Sequence, residues 1–130
     1  MIVVDASALA DVLLRVGSAS AAEHRILDAK ETLHAPHLVD LEILQVLRRF
    51  ASAGKWQTER ATEALEDLEA LRIARHAHEP LRRRIWELRK TVTAYDAAYL
   101  ALAESLGCPL VTRDAKLRRS SGHDATVEVL

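Results

Sequence analysis

Residues 2–5 read Ile2-Val3-Val4-Asp5, three β-branched residues closed by an acid, and residues 110–114 return to the theme as Leu110-Val111-Thr112-Arg113-Asp114. Such apolar, β-branched runs suit a buried strand. Each strand delivers a carboxylate at its C-terminal end, and in an open α/β sheet that edge is where ligands bind. The two acids arrive from opposite ends of the chain, so a sheet that gathers both strands makes them one site. Ionised carboxylates a few ångströms apart repel each other, which either raises a pKa or calls for a cation between them.

Working outward, the segments between these strands read mainly as helices. Ser7 is placed to cap a helix that runs to Val16, with Gly17 ending it, and a second helix follows from Ser20 to Lys30. Thr32–Ala35 reads as a strand, Pro36 as a turn, and an apolar-periodic helix then reaches Phe50 to Ala53 before Gly54. Further helices are expected over Thr58–Leu71, from Pro80 to Lys90, and over Ala94–Leu106 with Thr93 as cap and Gly107 as stop. Short strands are expected at Leu71–His76 and Thr126–Val129. Apolar strands alternating with helices of this length imply an α/β fold, a central, mostly parallel sheet covered by helices. The 130 residues and 49% apolar content suit a single domain, residues 1–130.

The 18 basic and 19 acidic residues leave a net charge of −1, so no global positive field gathers nucleic acid, and any such binding is local. The basic set is 14 Arg and 4 Lys, a bias that suits bidentate phosphate contacts and carboxylate pairs. The one cysteine, Cys108, excludes an internal disulfide and fits a reducing compartment. Neither a leader pattern nor an apolar stretch of the ~20 residues that span a bilayer is evident, and the expectation is a cytoplasmic protein with no membrane association.

Two further acids stand in apolar company. Asp96 follows Thr93 by three positions and reads as the acidic half of a capping box, while the small, apolar helix around it puts it at the rim of a buried surface. Glu42 lies between Leu41 and Ile43 near the start of a helix, where an acid also suits the dipole. Asp40, off that face, is the alternative cap, leaving Glu42 to point inward. Asp114 has a bland reading as the cap of a short segment, Ala115–Arg118, and Asp5 as the start of a turn. Taken together, Asp5, Glu42, Asp96 and Asp114 fall at one sheet edge, with Ser7 and Thr112 beside them as hydroxyls that can hold a carboxylate or a bound water. All-oxygen donors point to Mg²⁺ or Mn²⁺. The histidine pairs His34/His37 and His76/His78 have no ligand spacing and read as surface or loop residues. Trp56, Leu65 and Trp86 suit a dimer surface or the core, and core is the expectation.

Asp5-Ala6-Ser7, Glu42, the stretch Thr93-Ala94-Tyr95-Asp96-Ala97-Ala98-Tyr99-Leu100-Ala101-Leu102-Ala103 and Leu110-Val111-Thr112-Arg113-Asp114 together resemble a PIN domain, and within that family the VapC-type toxin ribonucleases. The resemblance runs in order over essentially the whole chain. It implies a three-layer α/β/α PIN-like fold and a Mg²⁺-dependent endoribonuclease, the toxin of a type II toxin-antitoxin system. It further implies that Asp5, Glu42, Asp96 and Asp114 are the catalytic, metal-binding quartet supported by Thr112, that the chain forms a homodimer, and that a cognate VapB-type antitoxin blocks the site. Many relatives carry a further acid after the last motif, where Lys116 stands here, which puts a second metal position in doubt. Arg113 is the preferred RNA contact; Arg48-Arg49, Arg82-Arg83-Arg84 and Arg118-Arg119 are wider candidates, although the run at 82–84 reads better as a solvated ion-pair face. With 4% aromatics, extensive base stacking is not expected, and recognition of RNA shape or a specific loop is, rather than of unstructured strands.

Two other acid-bearing α/β families fit poorly. A receiver domain needs a second acid beside Asp5 and a late-strand Lys, and a haloacid-dehalogenase-type phosphatase needs an acid where Ser7 stands. The alternative of a different class is a PIN-like module that binds protein or RNA with catalysis weak or lost.

Overall fold

A computed structural model describes residues 1–15 and 19–130. Five strands, β1 (Ile2–Val4), β2 (Leu33–Pro36), β3 (Ile73–His76), β4 (Leu110–Thr112) and β5 (Val127–Val129), form one parallel sheet in the order β3-β2-β1-β4-β5. From β1 the chain moves outward through β2 to β3, then returns to the other side of β1 for β4 and β5. The order reverses at the β1/β4 boundary, where Val3 pairs with Leu110 and Val4 with Val111. That is the point at which a parallel sheet opens a crevice above its strand ends.

Helices cover both faces in a three-layer α/β/α arrangement. α1 (Ala6–Leu14) packs on α2 (Ala19–Ile26), α3 (Leu38–Ala51) and α4 (Lys55–Ala70), while α6 (Ala94–Leu106) lies on β1, β2 and β4 and carries α5 (Arg82–Glu87). A short α7 (Ala115–Arg119) joins β4 to β5. α1 and α6 are the most deeply set: Leu9 and Leu100 are fully buried, and α6 presents the small side chains Ala97, Ala98, Ala101 and Ala103 to its neighbours. Small residues let this helix approach the sheet closely, which draws its first turn, and Asp96, toward the crevice.

The helix ends largely follow local chemistry. Thr93 caps α6 by accepting the Asp96 N–H at 3.2 Å. Gly107, at φ 62°, closes α6 in the left-handed region while Cys108 N–H reaches back to the Ala103 carbonyl at 3.2 Å. The cap of α1 is Asp5 and not Ser7: the strand leaves Asp5 extended, and its carboxylate accepts the Ala8 N–H at 3.0 Å. The expected stop at Gly17 lies outside the described residues. Asp40 does not cap α3. It forms a two-pronged pair with Arg75 at 2.6 and 2.7 Å, and His78 Nε2 instead takes the Leu38 N–H.

The segment after Pro80 departs most from expectation. A single turn of 3₁₀ helix at Glu79–Leu81 precedes α5, and the helix ends at Glu87 rather than Lys90. Arg84 is the reason α5 sits where it does: it pairs with Glu104 at 2.7 and 2.9 Å, with Glu87 at 3.1 Å, and reaches the Gly122 carbonyl at 2.8 Å. Within the 82–84 run the ion pairs therefore belong to Arg82 and Arg84, not to Arg83. Arg84 and the Asp124 N–H hold the Glu104 carboxyl below its usual range. A carboxyl with a depressed folded-state pKa contributes stability above its unfolded value, and that contribution fades as pH falls through the folded value. Glu104→Gln is therefore expected to cost about 1–2 kcal/mol at neutral pH and progressively less in acid, read from urea unfolding on both sides of the ordinary carboxylate range.

His34 and His76 are strand residues, half-buried and joined ring to ring at 2.9 Å, rather than loop residues. Trp56 and Trp86 are 65% and 67% exposed, so neither belongs to the core, while Leu65 packs against its edge.

Candidate active site

Asp5 leaves the end of β1 into the crevice, only 7% exposed, and its carboxylate is the hub of the site. One oxygen accepts from Ser7 Oγ at 2.7 Å and from the Ala8 N–H, and the other accepts from Thr112 Oγ1 at 2.5 Å. Thr112, fully buried at the end of β4, in turn accepts the Asp114 N–H at 2.9 Å, and Ser7 accepts the Arg113 N–H at 3.0 Å. The two hydroxyls therefore bolt the β4 loop to the β1 carboxylate. A carboxylate has about four acceptor positions, and three at Asp5 are taken, so one lone pair is left.

Glu42 comes from the second turn of α3, and its Oε1 accepts from Tyr99 Oη at 2.8 Å. Tyr99 is 2% exposed, and burial beside Glu42 and Asp5 pushes its phenol far up, which keeps it a donor. It stands three residues after Asp96 on α6, the spacing of one helix face, and so lies behind the site as Asp96 lies at its front. Nothing short of the fold marks Tyr99 as a partner of Glu42. Asp96, half-buried, sits at the start of α6. Asp114 caps α7 through the Lys116 N–H at 2.8 Å.

The charges feel one another. Burial raises Asp5, and Asp96 raises it further; burial raises Glu42, with Asp5 and Asp96 adding to it; burial raises Asp96, with Asp114 adding to it. Four segments 109 positions apart in sequence, from Asp5 to Asp114, thus place their acids in one electrostatic neighbourhood. Among the described residues none of the four forms an ion pair with Lys or Arg. Arg113, adjacent in sequence, turns away to Asp11 on α1 at 3.0 Å.

Among the described residues no three His, Cys, Asp or Glu side chains are already arranged to hold a metal ion. The donor chemistry nonetheless fits a hard divalent cation: oxygen donors only, partly desolvated, mutually repelling, and without a basic partner.

A five-stranded parallel sheet with an acid quartet at its switch point defines a class before any likeness is considered, and the likenesses agree. The family profile of the PIN domain matches residues 2–122. The chain belongs to the PIN-domain family. Ribonuclease VapC9 of Mycobacterium tuberculosis is 47% identical over 117 residues, covering 90% of this chain and 88% of that protein. PAE2754 of Pyrobaculum aerophilum superimposes with a TM-score of 0.71 at 25% identity, over 99% of this chain and 83% of that one. VapBC2 of Rickettsia felis, solved bound to a promoter DNA fragment, shares the fold with a TM-score of 0.66 at 15% identity, over 99% and 98% of the two chains.

Proposed function

We propose that this chain, acting as one domain over residues 1–130, is the toxin ribonuclease of a type II toxin-antitoxin pair, an endoribonuclease that hydrolyses RNA phosphodiester bonds with a divalent metal, Mg²⁺ or Mn²⁺. The observation that carries the reading is the convergence of four coupled carboxylates without a basic partner at the sheet's switch point. The identity to VapC9 supports the reaction class. Asp5 and Asp96 are the direct metal ligands, and Glu42 and Asp114 bind directly or through water. When bound, the metal supplies a water of lowered pKa and neutralises charge on the leaving oxygen.

The protein's own residues prepare that chemistry. Ser7 and Thr112 fix the Asp5 carboxylate with its remaining lone pair toward the crevice, so little reorganisation is left for the reaction. Tyr99 anchors one Glu42 oxygen and leaves the other to the site. Arg113, the substrate contact expected from the sequence, is paired with Asp11 at the rim, so it meets a phosphate only by giving up that carboxylate. No residue in this set reads a base, so cleavage is indifferent to sequence at the scissile bond. A VapB-type antitoxin covers the site, as the R. felis complex carries both partners in its name. The exposed Trp56, its ring 6.2 Å from Phe50, and Leu41 at 73% exposure support pairing with a second copy. No described helix is long and apolar enough to cross a membrane. Action in the cytoplasm is proposed from the ribonuclease reading, because RNA is available there.

The test is incubation of total cellular RNA with purified protein and Mg²⁺ or Mn²⁺. Discrete fragments that disappear with EDTA are expected. A folded, metal-binding protein that leaves all RNA intact would instead favour the interaction module.

A further inference from the structure

We propose that the RNA strand enters the acid site from one side only, along a phosphate track formed by Arg89, Lys90 and Lys116, and that the track takes a single-stranded leg of the substrate. The proposal rests on the ribonuclease reading above.

A cleft of about 500 Å³ runs from the segment after α5 to α7. Arg89, Lys90 and Lys116 line it together with Asp96 and Asp114, so the cations and two of the acids share one cleft. Its volume lies within the ~300–1,000 Å³ of ligand pockets. Its occupant must be continuous with whatever binds at the two acids, and the strand being cut meets that condition.

The three cations that line the cleft are among those left without a carboxylate partner. Arg25, Arg60, Arg75, Arg84 and Arg113 each have a carboxylate partner, whereas among the described residues Arg89, Lys90 and Lys116 have none within ion-pair distance and all three are exposed. Arg89 is held ready: its guanidinium lies 4.5 Å from the centre of the Trp86 ring, and Nη1 donates to the Trp86 carbonyl at 2.9 Å. Across the site, Arg113 is neutralised by Asp11, so no equivalent basic run continues over α1. With a net charge of −1, phosphate attraction has to come from such a local arrangement. A cleft lined by three cations and ending on two of the acids suits one backbone rather than a duplex, whose two strands hold their phosphates apart.

The test is fluorescence anisotropy of a short, labelled, mixed-sequence single-stranded RNA across a KCl series, in EDTA so that nothing is cut. Arg89→Ala/Lys90→Ala/Lys116→Ala is expected to bind on the order of tenfold or more weakly at low salt, and to lower the slope of log K against log salt by about 2, at ~0.7 per single-strand phosphate contact. Lys30→Ala/Lys55→Ala/Arg72→Ala, which removes the same charge elsewhere, should keep the wild-type slope. An unchanged slope in the first variant overturns the track, as does an equal loss in both variants or a loss confined to antitoxin binding. Because binding is read without turnover, the two readings fail separately. A track that binds in a protein that never cleaves sinks only the nuclease, while a cleft variant that binds and cleaves like wild type sinks only the track.

Discussion

Asp96→Asn is expected to lower RNA cleavage by on the order of 10³-fold and to leave the thermal midpoint unchanged or slightly raised. The first half follows from what a metal-binding carboxylate supplies, several kcal/mol of transition-state stabilisation at ~1.4 kcal/mol per factor of ten. The second follows from the electrostatics: burial and the Asp114 charge raise Asp96 above its ordinary value. A carboxyl whose folded-state pKa is raised costs stability once pH exceeds its unfolded value, so at neutral pH the ionised site is held against a penalty that Asn removes. Asp5→Asn should be equally inactive but gain less stability. Both Asp5 oxygens accept hydrogen bonds, and an amide nitrogen cannot accept. Paired cleavage assays and melting curves decide the matter; an Asp96→Asn protein that cuts at the wild-type rate removes Asp96 from the site.

Thr112→Val is expected to reduce cleavage about 10- to 100-fold, the range for residues that orient a metal ligand without touching the metal. The exchange keeps the shape of the side chain and deletes one hydroxyl. That hydroxyl donates to Asp5 and accepts from the Asp114 N–H, so two groups lose a partner in a fully buried place. The stability cost should be about 1–3 kcal/mol. Thr112→Ser, which retains the hydroxyl, should recover most of the activity, and a merely structural role would predict no such rescue. Equal activity for Thr112→Val and wild type would show that Ser7 alone suffices to hold Asp5.

Those two residues also mark how far the chain could be read before its fold was known. The strands Ile2–Val4 and Leu110–Thr112 announce themselves by β-branched runs, and α6 begins and ends at the residues that Thr93 and Gly107 dictate. The acids were legible because a carboxylate at the end of such a strand, or in an alanine-rich helix, is conspicuous. What local pattern cannot show is pairing at a distance. Glu42 with Tyr99, Arg113 with Asp11 and Arg84 with Glu104 join segments whose meeting depends on the whole topology. The same limit misplaced the cap of α1. Ser7 is the stronger candidate by position in the sequence, but the strand's extended geometry hands the role to Asp5 and frees Ser7 to reach across to β4. Trp86 shows the opposite error, a large apolar side chain assigned to the core that instead lies outside as a bed for Arg89.

The order of the strands has a bearing on how such a protein is made. β1 is the first of the five strands in chain order and β4 the fourth, yet they are neighbours, and Asp5 waits for Thr112 across 107 positions. A growing chain that has not yet released Leu110–Asp114 has an open edge on β1, no hydroxyl from Thr112 and no fourth acid. On the proposed ribonuclease reading, the acid site is therefore complete only once Leu110–Asp114 has joined the sheet, and a chain without that segment lacks it.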